Sequence, residues 1–247
     1  MTSRAIYITG TDTGCGKTTV SCLLLRLLLQ RFARAVGMKP VASGCELIAG
    51  SWQNGDALSL QATSVPQPNY HWVNPVALPQ PLAPEIAAKR AGITVSLAAI
   101  SAAFAQLQCL ADWVVVEGIG GWAAPVSEQI EQADLVSQLG IPVILVVGLR
   151  LGCINHARLT AHFLQSTGVP CLGWIGNCIH PTTEAMSENL AILQRQLALR
   201  YLGCCGWQAT PSVDNSDTAH LIANMIHAYD AWFDSAILSH GDSGDVY

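Results

Sequence analysis

Residues 10–18 read Gly-Thr-Asp-Thr-Gly-Cys-Gly-Lys-Thr, which satisfies G-x-x-x-x-G-K-[ST] at every fixed position. The apolar run Ala5-Ile6-Tyr7-Ile8 precedes this stretch and Val20-Ser21-Cys22-Leu23-Leu24-Leu25 follows it, so it joins a strand to a helix. Glycines let successive backbone N–H groups curl around a phosphate, and the helix N-terminus adds partial positive charge. On this reading Gly14, Cys15, Gly16, Lys17, Thr18 and Thr19 cradle a nucleoside triphosphate. Lys17 reaches the β- and γ-phosphates, and the Thr18 hydroxyl ligates Mg²⁺.

A P-loop needs a sheet behind it, and the rest of the chain supplies one. Continuous apolar runs at Ala35–Met38, Trp113–Val116, Val143–Val147, Cys171–Ile175 and near 202–207 alternate with helical stretches. The helices are expected at 17–32, after Glu85, at Leu97–Leu110, near 132–138, at His156–Ser166, over 183–199 and over 218–233. Residues 52–56 read as a polar connection opening a short helix at Ala57-Leu58. Residues 64–84, with six prolines, read as an ordered irregular loop rather than a domain boundary. This pattern predicts an α/β fold: a single P-loop NTPase-like domain over 1–238, with a mostly parallel sheet covered by helices on both faces. Residues 239–247, polar and glycine-bearing, are expected to form a disordered tail.

Charge and composition exclude several classes. The net charge of −5 argues against a nucleic-acid partner bound by phosphate neutralisation. Apolar residues make up 51%, yet the longest apolar runs fall far short of the roughly 20 residues that span a bilayer. The sequence opens without a basic stretch and cleavage site, so no leader and no membrane segment is expected. Nine cysteines, an odd number with no C-x-x-C, fit free thiols in a reducing cytoplasm. The histidines show no metal-ligand spacing, and no nucleophile-plus-base pair calls for a covalent enzyme intermediate.

Ligands of such sheets bind beyond the carboxyl ends of the strands, where Gly10–Thr18, Lys39–Ser43, Glu117–Gly121, Gly148–Asn155 and Asn177 all fall. Glu117 ends an apolar strand where P-loop enzymes place an acid on Mg²⁺ or its water. Gly118, Ile119 and Gly120 follow and bring backbone close to the ligand. Asp56 reads either as a metal ligand or as a helix N-cap. Lys39 reads as a charge that neutralises an anionic intermediate, against the alternative of a solvated lysine. Gly152-Cys153-Ile154-Asn155 reads as free helix N–H groups that hold a carboxylate, with Asn155 an equal candidate for a plain N-cap.

The segments GTDTGCGKT, GMKPVASG, NGDAL, VNP at 73–75, DWVVVEGIGGW, PVILVVGLRLGCINHA and GWIGN, in this order, resemble the dethiobiotin synthetases, the ATP-dependent cyclising ligases of biotin biosynthesis. The resemblance implies that ATP and Mg²⁺ serve 7,8-diaminononanoate and CO₂ (or bicarbonate), through a carbamate and its mixed anhydride with phosphate. It implies Thr18, Asp56 and Glu117 on Mg²⁺, and Lys17 between phosphates and carbamate. Lys39 would lie on the carbamate and the transferring phosphoryl, with Thr13 and Ser43 at the reacting end. Gly152 to Asn155 would bind the substrate carboxylate from a neighbouring subunit, in a homodimer with interfacial sites.

Asn177, Cys178, Gly206, Trp207 and Gln208 fall at the base-binding positions. Gly14 stands where the better-known bacterial members have Glu, and Cys178 where they have Asp. Gly206 stands where they have Pro, and Val213 where a ribose-contacting Glu is usual. These departures lead to an expectation of relaxed selectivity for adenine. The alternative class is a P-loop switch ATPase of the partition and division-site type. Such proteins carry a second lysine early in the P-loop, where this chain has Gly10-Thr11-Asp12-Thr13.

Overall fold

The computed structural model describes residues 3–181, 185–207 and 216–241. In chain order the elements are β1 (Arg4–Gly10), α1 (Lys17–Leu29), β2 (Ala35–Met38), β3 (Val41–Ser43), β4 (Glu46–Ile48), β5 (Ser51–Gln53), α2 (Gly55–Thr63), α3 (Tyr70–Val73) and β6 (Val76–Leu78). They continue with α4 (Pro84–Ala91), α5 (Leu97–Leu110), β7 (Trp113–Glu117), α6 (Gln132–Leu139), β8 (Val143–Leu149), α7 (Cys153–Ser166), β9 (Cys171–Cys178), α8 (Met186–Gln196), β10 (Tyr201–Cys205) and α9 (Ser216–Gly241).

The main sheet runs β10-β9-β8-β1-β7-β2, and every pairing in it is parallel. Parallel strands need crossovers, and the helices that supply them cover both faces. On β1 the alternation is explicit. Ile6 and Ile8 pack with α1, α2 and α9 on one face, while Ala5 and Tyr7 pack with α5 and α6 on the other. Further along the second face, Leu145, Val147 and Trp174 pack with α7 and α8. This is the single P-loop α/β domain expected from the sequence. Among the described residues no helix is long and apolar enough to cross a membrane.

Several local expectations are corrected. The polar connection before α2 contains an antiparallel hairpin, β4–β5, with Leu47 opposite Trp52. The proline-rich stretch is ordered as expected, but it is not irregular throughout, since it holds α3 and β6. Asn69 caps α3, and Pro75 and Pro79 bracket the three residues of β6, which pairs in parallel with β3. Proline restricts a strand at its ends while leaving the interval free to donate, which is how six prolines coexist with a ladder. α7 starts at Cys153, three residues before the expected His156, because Gly152 adopts the left-handed cap (φ 91°) and releases the following residues into helix. α9 runs over Ser216–Gly241, longer than the expected 218–233, with no proline or glycine before its last residue; residues 242–247, in the expected tail, lie outside the described residues.

Candidate active site

β1 delivers the P-loop, and Gly16 turns it into α1. Gly16 sits at φ 90°, and a Cβ there would lie 1.9 Å from Asn177 Nδ2, so both conformation and space demand glycine. Asn177, at the end of β9 and 3% exposed, donates from Nδ2 to the Cys15 carbonyl at 3.0 Å and braces the loop. Lys17 is buried, and its Nζ donates to the carbonyls of Asp12 (3.1 Å) and Gly120 (2.7 Å). Burial, ahead of the neighbouring charges, holds this ammonium below the ordinary lysine range.

The acid at the end of β7 is the centre of the site. Glu117 is fully buried; its Oε1 accepts from Thr18 Oγ1 at 2.8 Å and from Lys39 Nζ at 2.6 Å. Lys39 Nζ also donates to the Gly118 carbonyl at 3.0 Å and lies 3.5 Å from Asp56 Oδ2. Glu117 Oε2 is buried with no hydrogen-bond partner. An unpartnered buried carboxylate oxygen is costly and calls for a ligand. With the Thr18 hydroxyl and the half-exposed Asp56 carboxylate on the same cavity lining it offers hard oxygen donors, a chemistry that suits a divalent cation such as Mg²⁺. Among the described residues no cluster of three or more His, Cys, Asp or Glu side chains forms a rival metal site.

These residues surround one cavity of about 410 Å³, lined by Thr13, Gly14, Gly16, Lys17, Thr18, Thr19, Lys39, Ser43, Asp56, Glu117, Ile119 and Gly120 among others. Residues of the strand-end clusters expected at Gly10–Thr18, Lys39–Ser43 and Glu117–Gly121 therefore meet. Asn54 also lines the cavity, and the sequence reading missed it. Its Oδ1 accepts from the Asp56 and Ala57 N–H groups, so Asn54 rather than Asp56 caps α2; its Nδ2 donates to the Ser43 carbonyl. Asp56 is thereby free of the capping role and faces Lys39.

Other expected residues lie elsewhere. Cys15 is buried beneath the loop, and Gly118 contributes its carbonyl to Lys39. Gly152, Cys153, Ile154 and Asn155 form the start of α7, away from the cavity lining; Asn155 is the third helical residue and not a cap. Cys178 and Gly206-Trp207 converge at the ends of β9 and β10. A hydrogen bond with Cys204, opposed by burial and helped by the Trp207 N–H, pulls the Cys178 thiol down to about 7. Its Sγ lies 3.0 Å from Met186 Sδ. Gln208 and Val213 lie outside the described residues.

Two braces escaped the sequence reading. Gln132, fully buried at the start of α6, accepts from Tyr7 Oη (2.9 Å) and Ile119 N (3.3 Å) and donates to the carbonyls of Gly121, Trp122 and Ala124. It fixes the turn after Glu117. Burial, then the Glu117 charge, holds Tyr7 above the ordinary phenol range, so it donates as a neutral hydroxyl. A phenol in a strand of otherwise apolar residues was the available signal, since a buried tyrosine hydroxyl needs a partner. The second brace, an ion pair between Arg150 and Asp12, left no such signal.

A family model described as an AAA domain matches residues 4–212. The chain is 55% identical over 220 residues to the ATP-dependent dethiobiotin synthetase BioD of Xanthomonas axonopodis pv. citri, covering 89% of this chain and 97% of that one. It is 57% identical over 203 residues to the protein of the same name from Xylella fastidiosa, covering 82% and 90%. Among solved structures it resembles the septum site-determining protein MinD complexed with Mg-ADP from Pyrococcus horikoshii, with TM-score 0.51, 16% identity, and 95% and 97% of the two chains covered. Chloroplast FtsY from Physcomitrella patens gives TM-score 0.52 at 15% identity, over 91% and 65%. At such identities the structural likeness speaks for the fold alone.

Proposed function

The chain belongs to the ATP-dependent dethiobiotin synthetase family, and from that premise we propose that its cavity closes the ureido ring of dethiobiotin on 7,8-diaminononanoate. One amine adds to CO₂ and loses a proton, giving a carbamate. A carbamate oxygen attacks the γ-phosphorus of ATP, and the bond to the β-phosphate oxygen breaks to release ADP. The second amine then attacks the carbonyl of the mixed anhydride, inorganic phosphate departs, and the amine proton is lost to solvent.

The observation that carries this reading is the second buried lysine. The switch ATPases carry their second lysine early in the P-loop. Here it is Lys39, 5% exposed at the end of β2 on the lining of the same cavity, where it supplies a further cation for an anionic acceptor that must approach a phosphate. Thr13 and Ser43, on the same lining, flank the reacting end of the diamine. Thr18, Glu117 and Asp56 would hold Mg²⁺, which neutralises charge on the phosphates. Asn177, Cys178 and Gly206-Trp207 would face the base, with relaxed preference for adenine because Cys178 cannot accept the hydrogen bonds of a carboxylate.

The α7 N-terminus, which is not part of the lining of this cavity, suits the carboxylate of a substrate bound mainly to a second copy. Leu151, Leu159 and Phe163 are exposed along that segment and helix, as an apolar face between copies would require. The reading therefore includes a homodimer.

The test is fixation of labelled bicarbonate into acid-stable product, omitting diaminononanoate, Mg²⁺ and nucleotide in turn. Label captured only with all three is expected. Nucleotide hydrolysis indifferent to the diamine, with no label fixed, would refute the ligase and move the reading to a switch ATPase. Repeating the complete reaction with CTP and GTP tests selectivity, and a strong preference for ATP would count against the relaxed base site.

A further inference from the structure

We propose that Arg150 is a positioning residue whose guanidinium neutralises the Asp12 carboxylate inside the P-loop and so keeps the phosphate cradle open to anions. A cradle for a triphosphate is a poor place for an acidic side chain. Asp12 nevertheless stands two residues past Gly10 and next to Thr13, which lines the cavity. Arg150 follows β8, the neighbour of β1, and its Nη2 donates to Asp12 Oδ2. The strand level explains the reach: Gly10 lies beside Val146, and Thr11 N donates to the Val146 carbonyl at 3.1 Å. The chain beyond β8 therefore starts from the level of the P-loop.

Asp12 also carries a second job. Its carbonyl accepts Lys17 Nζ, while its other carboxylate oxygen accepts from Thr11 Oγ1 at 3.4 Å. Arg150, Asp12 and Lys17 form a relay in which the guanidinium fixes the residue that parks the phosphate-binding ammonium. The pair is partly exposed, at 38% and 30%, so its worth to global stability is small. Its electrostatic effect on an incoming polyanion a residue or two away is not small, because the unpaired carboxylate would repel the ligand directly. The backbone of Arg150 has its own anchor, its carbonyl accepting Cys153 N–H at 3.0 Å, which ties the guanidinium to the start of α7.

The sign of this effect separates it from simple support. The inference rests on the site's being a nucleotide site. Its test is calorimetric titration of MgATP into the full chain, with melting temperatures alongside, for the unaltered protein, Arg150→Gln, Arg150→Lys, Asp12→Asn and the double variant Asp12→Asn with Arg150→Gln. Arg150→Gln is expected to weaken MgATP binding about tenfold, within the range of directly coupled charged groups. Arg150→Lys should recover most of that loss. The double variant should return to within about threefold of the unaltered protein, because removing the acid removes the need for the guanidinium. Losses that add in the double variant, or an Arg150→Gln protein that binds MgATP normally, would overturn the proposal. If the unaltered protein binds no MgATP, the nucleotide reading falls and the proposal with it; normal binding by that protein beside additive variants removes the relay alone.

Discussion

Replacing Glu117 with glutamine removes one buried charge while keeping the size of the side chain. The amide oxygen can still accept from Thr18 and Lys39, but Lys39 loses its full counter-charge and is left with the half-exposed Asp56, at 3.5 Å, as its carboxylate neighbour. Stranding one partner of a buried pair costs about 3–5 kcal/mol. A neutral amide is cheaper to bury than a carboxylate, which offsets part of this and leaves a net loss of roughly 2 kcal/mol. At this chain length that lowers Tm by roughly 4–8 °C. The second effect is larger in diagnostic value. At a MgATP concentration of about 100 Kd the unaltered protein gains about 2.7 kcal/mol, or roughly 5–10 °C. A variant weakened about a hundredfold sits near its own Kd and gains only about 0.4 kcal/mol, roughly 1 °C. Thermal melts with Mg²⁺ alone, ATP with EDTA, and MgATP separate the two effects. A Glu117→Gln protein that keeps the whole magnesium-dependent shift would refute the assignment of the orphaned Oε2 to a cation.

Three further perturbations follow from the same geometry. Lys39→Gln should lower turnover about 10²–10³-fold while MgATP affinity stays within about threefold, measured by label fixation beside calorimetry, since its charge acts on the acceptor and the transferring group. Gly14→Ala and Gly16→Ala should diverge: at Gly14 (φ 79°) a methyl group meets nothing within 4 Å and costs about 1 kcal/mol of conformational strain, whereas at Gly16 it displaces Asn177 and should abolish measurable MgATP binding. Alkylation of Cys178 by a small haloacetamide, followed by peptide mass spectrometry, should rise with pH through a midpoint near 7, because the depressed pKa makes the thiolate dominant above it. Cys204→Ala removes the largest cause of that depression and should move the midpoint upward; an unmoved midpoint would contradict the pairing.

What the sequence revealed, and what it concealed, divides along physical lines. The six-stranded sheet was legible because strands buried on both faces must be continuously apolar, as Trp113–Val116 and Val143–Val147 are. Lys17 and Thr18 were legible from the spacing of the P-loop glycines. Lys39 and Glu117 were legible because a charged residue that ends a buried parallel strand faces the edge of the sheet where ligands bind. β6 was hidden because prolines at both ends look like a loop, although they leave its three donors intact. Asn54 was hidden because Asp56, two residues further on, read as the cap of α2, whereas the geometry gives that role to Asn54. Arg150 was invisible because its partner is 138 residues away, and one charge at a loop start implies nothing about which loop it reaches.

The order of strands in space sets a timetable for the chain's synthesis. β1 emerges first, yet it lies between β7 and β8, and its residues pair with Trp113–Glu117 and Val143–Val146. α1 can cover Ile6 and Ile8 on one face in the meantime, but Tyr7 on the other face and both hydrogen-bonding edges of the strand wait for distant partners. At typical elongation rates the wait for Trp113 is about 5–20 seconds. During that interval the strand that delivers the P-loop is apolar and lacks both of its sheet neighbours. A slow ribosome or a missing chaperone is therefore felt first at β1, well before the acid and the second lysine of the site have both been made and brought together.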